Sequence, residues 1–196
     1  LRNAIQEYLS ARGEPANYLL IHAAGLIALA ETHSLKQPEH EFDEALRKTH
    51  ALFESALKDD NRFIHYSTGA GVDTGMWGLG LDAGLNMSES LSDRVEIAVV
   101  NYLQKNQNVI YLEIENELYP QFTGLLTPSK GLIYAVLNSY AEKEAGKWKL
   151  RAEDISSARR EELNTVYNLI ESIGKRLEYK TVRQDKFLHW EESGKP

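Results

Sequence analysis

Four groups of residues have types and spacings that bear on chemistry. The chain has six histidines and no cysteine, so a metal site would have to be built from imidazole and carboxylate. His33, His40 and His50 fall around one segment, but their spacing does not give the His-X3-His pair that presents two ligands on one helix face. His22 and His65 lie in mostly apolar stretches, where a satisfied interior imidazole is the ordinary outcome, and no metal site is expected. Glu113, Glu115 and Glu117 alternate, a spacing that suggests a carboxylate site for acid–base work. No third partner stands beside them, so a solvated helix face is expected instead.

The third group is glycine-rich: Gly69-Ala70-Gly71 to Gly75, then Gly78-Leu79-Gly80. A phosphate cradle needs a strand before it and a helix after it. These glycines lie in or beside a hairpin, where they serve turns with positive φ. No catalytic residue and no cofactor site is assigned.

The fourth group is cationic. Lys147, Lys149 and Arg151 alternate with Trp148 and Leu150, which places three cations on one side of a strand. Ser129, Lys130, Tyr134 and Asn138 form the outer face of one helix, and Arg47 and Lys48 belong to the outer face of another. Cations so placed can meet phosphates, and these residues are the candidate nucleic-acid contacts. Trp77 and Trp148, at strand ends, are expected to plug cores rather than stack on bases.

These groups are positioned by two stretches that end alike. Arg62-Phe63-Ile64-His65-Tyr66 passes through a glycine-rich turn to Met76-Trp77-Gly78-Leu79, and Lys143-Glu144-Ala145-Gly146 leads to Lys147-Trp148-Lys149-Leu150. Each follows amphipathic helices and reads as a hairpin ending in Trp-X-Leu. The expected fold is mainly α with small β-hairpins, an α+β chain of tandem winged-helix-like units. Residues 1–81 form the first unit, 82–90 a linker and 91–152 the second unit. Residues 153–196 form a C-terminal helix and strands of an incomplete third.

In the first unit, Ala4, Ile5, Tyr8 and Leu9 make one helical face. Asn17 to Glu31, apolar nearly all round, reads as a well-buried second helix. Phe42, Ala45, Leu46, Thr49, Phe53, Ala56 and Leu57 give the buried stripe of a third, and Gly69 to Gly75 is the wing. In the second, Ser92 or Asp93 caps a helix carrying Val95, Val99 and Leu103, and Val109-Ile110-Tyr111 is a short strand. Leu112 to Tyr119 is a helix ended by Pro120, and Thr127-Pro128 caps the helix of Leu132, Ile133, Val136, Leu137 and Tyr140. Ser157 to Leu177 is a further helix with Glu161 and Glu162 in its first turn, and strands follow at Tyr179 to Arg183 and Phe187 to Trp190.

Composition bounds the function classes. At 196 residues, 42% hydrophobic and 26% charged, the chain can bury a core without staples, and the lack of cysteine suits a cytoplasmic location. No apolar run reaches the roughly 18 residues of a membrane span. Leu1 in place of Met, and the turn-like Ser193-Gly194-Lys195-Pro196, suggest a fragment of a longer protein. Net charge is −7. Residues 1–81 hold 7 Lys/Arg against 11 Asp/Glu, residues 82–150 hold 6 against 9, and residues 151–196 hold 9 against 9. An acidic body argues against tight, sequence-blind duplex binding and leaves room for a locally basic contact.

At Gly124-Leu125-Leu126-Thr127-Pro128, followed by Lys147-Trp148-Lys149-Leu150-Arg151 and Ala158-Arg159-Arg160, the chain resembles the C-terminal region of large bacterial DNA methyltransferases of the adenine-modifying type. Leu9-Ser10-Ala11-Arg12-Gly13-Glu14-Pro15 and His22-Ala23-Ala24 are similar to the upstream part of that region. The resemblance implies a parent that moves a methyl group from S-adenosylmethionine to adenine in DNA, within restriction-modification or phage defence. The family's Asp-Pro-Pro-Tyr and Phe-X-Gly-X-Gly signatures are absent, so no catalytic residue and no S-adenosylmethionine site is carried over. The expected function is a non-catalytic accessory region that contacts DNA through winged-helix elements and works with other domains of its parent chain. The alternative is a protein-docking or homodimerisation module, and neither reading involves a membrane.

Overall fold

The computed structural model describes residues 1–32, 42–67, 69–80, 83, 87–184 and 187–192. Helices dominate, joined to small antiparallel sheets of two or three strands. By compactness the chain separates into two bodies, residues 1–99 with 115–135 and residues 100–114 with 136–196.

In the first body, α1 (Arg2–Arg12) stops at Gly13, whose φ of 74° lets its N–H return to Leu9 O. A Cβ at Gly13 would lie 2.3 Å from Ser88 O, so glycine is required twice over. The chain then runs extended through β1 (Ala16–Asn17), and the Asn17 side chain accepts the Leu19 N–H at 3.0 Å to cap α2 (Tyr18–Glu31). α3 (Phe42–Lys58) leads into the hairpin of β2 (Phe63–Tyr66) and β3 (Met76–Leu79). β3 is the central strand, with Ala16 opposite Trp77 and Phe63 opposite Leu79.

Trp77, 2% exposed, sits among Ile5, Leu9, Ile21, Phe53, Leu57 and Val72. Truncating such a side chain to alanine costs about 3 to 5 kcal/mol. Asp60 and Arg62 secure the base of the hairpin: the guanidinium pairs with Asp60 at 2.6 Å and also donates to Asn3 and Gln6 of α1.

Two expectations change here. α2 is not buried all round: Ile21, Ala24 and Gly25 are buried, but Leu19, Leu26 and Ile27 are exposed, because the packing neighbours lie on one side only. In α3 the buried residues are Phe53, Ala56 and Leu57, while Leu46 is exposed and the Phe42 side chain lies outside the described set.

The segment expected to be a linker, 82–90, is described only in part. Ala83 and Met87 pack on the first core, and the Ser88 N–H donates to Ser10 O at 2.9 Å. α4 (Leu91–Lys105) starts from Ser90, whose hydroxyl accepts the Asp93 N–H, so the cap is Ser90 rather than Ser92 or Asp93. Ser92 is used differently: its N–H and hydroxyl both donate to the Glu14 carboxylate, and Arg94 donates to Ala11 O at 2.7 Å.

α4 is followed in chain order by α5 (Tyr111–Leu118), α6 (Lys130–Tyr140), β4 (Ala141–Glu144) and β5 (Lys147–Leu150). The expected strand 109–111 shrinks to a single bridge, because α5 begins at Tyr111. Val109 exchanges hydrogen bonds of 3.0 and 2.7 Å with Trp148. Thus Val109 is to Trp148 what Ala16 is to Trp77, and the winged-helix order of helix, extended residue, two helices and hairpin occurs twice. The cap of α6 is Ser129, which accepts the Leu132 N–H; Thr127 instead donates its hydroxyl to Phe122 O and Gly124 O.

The second body also holds α7 (Ser156–Arg176), β6 (Tyr179–Gln184) and β7 (Phe187–Glu192). Because α7 starts at Ser156, Glu161 and Glu162 fall in its second turn rather than its first. Among the described residues no helix is long and apolar enough to cross a membrane.

Gly25 marks the tightest helix contact: a Cβ there would lie 2.6 Å from the Phe53 ring and 2.5 Å from Leu1. Gly25→Ala is expected to destabilise the chain by about 1 to 3 kcal/mol through overpacking, measured by urea denaturation.

Candidate nucleic-acid interface

Arg47, Lys48, Lys130, Tyr134, Asn138, Lys147 and Lys149 fall on the expected elements, whereas Ser129 is the cap before α6 and Arg151 follows the end of β5; the local contacts of these residues differ. On α3, Lys48 pairs with Glu44 at 2.6 Å and Arg47 donates to Asp43 O, both one turn back. Both lysines of this helix thus pair with a glutamate one turn back, Lys58 with Glu54, whereas Arg47 reaches only a backbone carbonyl.

On α6 the hydroxyl of Ser129 is occupied as the cap, leaving Lys130, Tyr134 and Asn138 exposed at four-residue steps. Lys130 is 72% exposed at its side chain and stands 3.7 Å from Glu115. The helix sequence Lys130–Tyr140 contains no acidic residue. That is unusual in a chain of net charge −7.

Glu115 corrects the expectation of a solvated acidic face. It is 8% exposed and accepts the Tyr119 hydroxyl at 2.7 Å, which raises the Tyr119 pKa. Its neighbours differ again: Glu113 accepts the Ile110 N–H at 2.7 Å, closing the start of α5, and Glu117 accepts from Gln121. Three glutamates two apart on a helix point in different directions and do separate jobs.

In the second body the hairpin β4–β5 turns through Ala145 and Gly146, both at positive φ (48° and 83°), the tight turn that suits a right-twisted hairpin. This turn sets Glu144 opposite Lys147 and Glu142 opposite Lys149. Trp148 and Leu150 are buried, and the cations fall on the other side as expected. Yet Lys149 lies 2.9 Å from Glu144 and 3.3 Å from Glu142, and these carboxylates raise its pKa while Lys149 lowers that of Glu144. Arg151 donates to Asn138 O at 2.6 Å. Lys147 makes no ion pair among the described residues and is exposed.

Sequence reasoning missed one cluster. Asp73, in the β2–β3 loop, lies 2.8 Å from His50 Nε2 on α3 and 3.6 Å from His22 Nε2 on α2. With Val72 buried, this carboxylate draws the loop onto the two helices. The His22 ring also rests on Phe53, with centroids 4.4 Å apart. Burial lowers the pKa of His22, with Asp73 opposing. His33 and His40 lie outside the described residues. Among those described, no group of three His, Asp or Glu side chains is arranged to hold a metal ion.

The chain matches no model of a known protein family, and no curated protein shows significant similarity to it.

Two of the shifted groups, His22 and Asp60, give a pH profile. His22 binds its proton less readily folded than unfolded, so stability should fall as the pH drops below about 6.5. Asp60, held at about 2 against an ordinary 3.8 by hydrogen bonds from Arg62, stabilises the fold above pH 3.8. That second contribution should disappear between about pH 4 and 2. Denaturation midpoints measured from pH 7 to 2 are expected to decline in these two stages, with His22→Asn flattening the first and Asp60→Asn reducing the second.

Proposed function

We propose that this chain is a DNA-gripping region, without catalysis of its own, that serves an adenine-modifying DNA methyltransferase in the cytoplasm. The observation that carries the reading is the acid-free outer face of α6, the third helix in a winged-helix order. Lys130, Tyr134 and Asn138 offer a cation, an aromatic hydroxyl and an amide along one side of it, and Lys147 adds a cation on the hairpin. The resemblance to the C-terminal regions of adenine-type methyltransferases supplies the enzyme class, and S-adenosylmethionine belongs to the parent's catalytic part.

The electrostatics divide the candidate residues by role. Lys147 meets phosphate because it has no ion pair to give up among the described residues, and Lys130, 72% exposed, has only its longer 3.7 Å contact with Glu115 to give up. Lys149 must first leave Glu142 and Glu144, Lys48 must leave Glu44, and Arg47 is tied to the Asp43 carbonyl. Affinity is therefore modest and strongly dependent on salt.

Fluorescence anisotropy with a labelled duplex at about 50 and then about 200 mM salt tests this. Salt-sensitive binding is expected, with Lys130→Glu and Lys147→Glu each weakening it several-fold and Arg47→Glu leaving it nearly unchanged. No binding at the lower salt, or equal losses from all three variants, overturns the assignment.

A second reading, docking to protein, is favoured by one specific feature: the exposed apolar stripe of α7.

A further inference from the structure

Within the second body, and among the described residues, the hairpin β6–β7 packs against one side of α7. Gly174 marks that side: it is buried, and a Cβ there would lie 2.8 Å from Thr181 Oγ1 and 2.9 Å from Trp190 Nε1. On the adjoining side Leu163, Val166, Leu169, Ile173 and Leu177 are exposed, Leu169 by 60%. Leu163, Val166, Ile170, Ile173 and Leu177 recur at steps of three, four, three and four, the apolar seam of a coiled coil.

The residues along the edge of this seam indicate what covers it. Seven residues apart along that edge stand Glu162, Leu169 and Arg176: an acid, an apolar residue and a base. In an antiparallel pair of identical helices this edge faces itself in reverse. Glu162 then meets Arg176 of the second copy, Leu169 meets Leu169, and Arg176 meets Glu162. A parallel pair would instead drive Leu169 toward the other edge at Gly174, where the hairpin already sits.

We infer that α7 is a self-association helix, pairing antiparallel with α7 of a second copy of this chain. The seam is short, but α7 is already braced by its own hairpin, so pairing does not have to meet the cost of forming the helix. Glu162 now pairs with Arg159 at 3.1 Å, an exposed contact that is readily shared with an incoming arginine. The dimer is weak, with a dissociation constant on the order of micromolar, as suits a small interface. The inference is independent of DNA binding.

Sedimentation velocity over a dilution series of the whole chain reads the mass. A dimer is expected at high concentration, dissociating on dilution. Leu169→Glu should leave helicity by circular dichroism unchanged and give a monomer at every concentration. Glu162→Arg should weaken the dimer about tenfold, and adding Arg176→Glu to it should restore the affinity. Because the chain has no cysteine, the orientation can be fixed by oxidation. Leu169→Cys is expected to cross-link and Val166→Cys is not. A monomer at the highest soluble concentration, a dimer indifferent to Leu169→Glu, or cross-linking through Val166→Cys in place of Leu169→Cys each overturns the inference.

Discussion

The first two hairpins depend on one constraint: the tryptophan carried on the last strand of each is buried, and that strand is held on both sides. In the first hairpin Trp77 lies on the central strand, between β2 and the two residues of β1. β1 is too short to be stable alone and exists because β3 needs a second neighbour. Its position then sets where α1 must end and α2 begin, which is why Gly13, Pro15 and the Asn17 cap crowd into five residues. Trp148 repeats the requirement with a single partner residue, Val109.

Helix stripes, hairpins and the repeated order were legible because each is a local periodicity. β1 was not, since a strand of two residues has no period. The caps at Ser90 and Ser129 were misplaced by two residues because several serines and threonines stand near each helix start, and only geometry selects one. The neutralisation of Lys149 was within reach: a two-residue turn at Ala145-Gly146 fixes the register, and the register puts Glu142 opposite Lys149. The Asp73 pairing with His22 and His50 was not, because it joins residues 51 and 23 positions apart through tertiary packing alone.

Charge is organised locally in this chain, in ways that its total does not reveal. Acids on α3 and β4 answer the bases beside them, while α6 has none. The contrast gives α6 a distinct surface character without making the chain basic. It also explains why counting cations along the sequence overstates the phosphate-binding face: a lysine between two glutamates one strand away contributes little to an external field.

The placement of the tryptophans has an optical consequence. The chain has three, and they fall one to a hairpin, on β3, β5 and β7. Trp77 is pressed against the His65 ring at 4.2 Å, a neighbour able to quench emission, and Trp148 is shielded from water, whereas Trp190 is 41% exposed and stacks on Tyr179. Each hairpin thus carries its own intrinsic fluorophore in a different surrounding. Leaving one indole at a time would let the opening of each hairpin be followed separately by its emission colour and lifetime, with no dye attached.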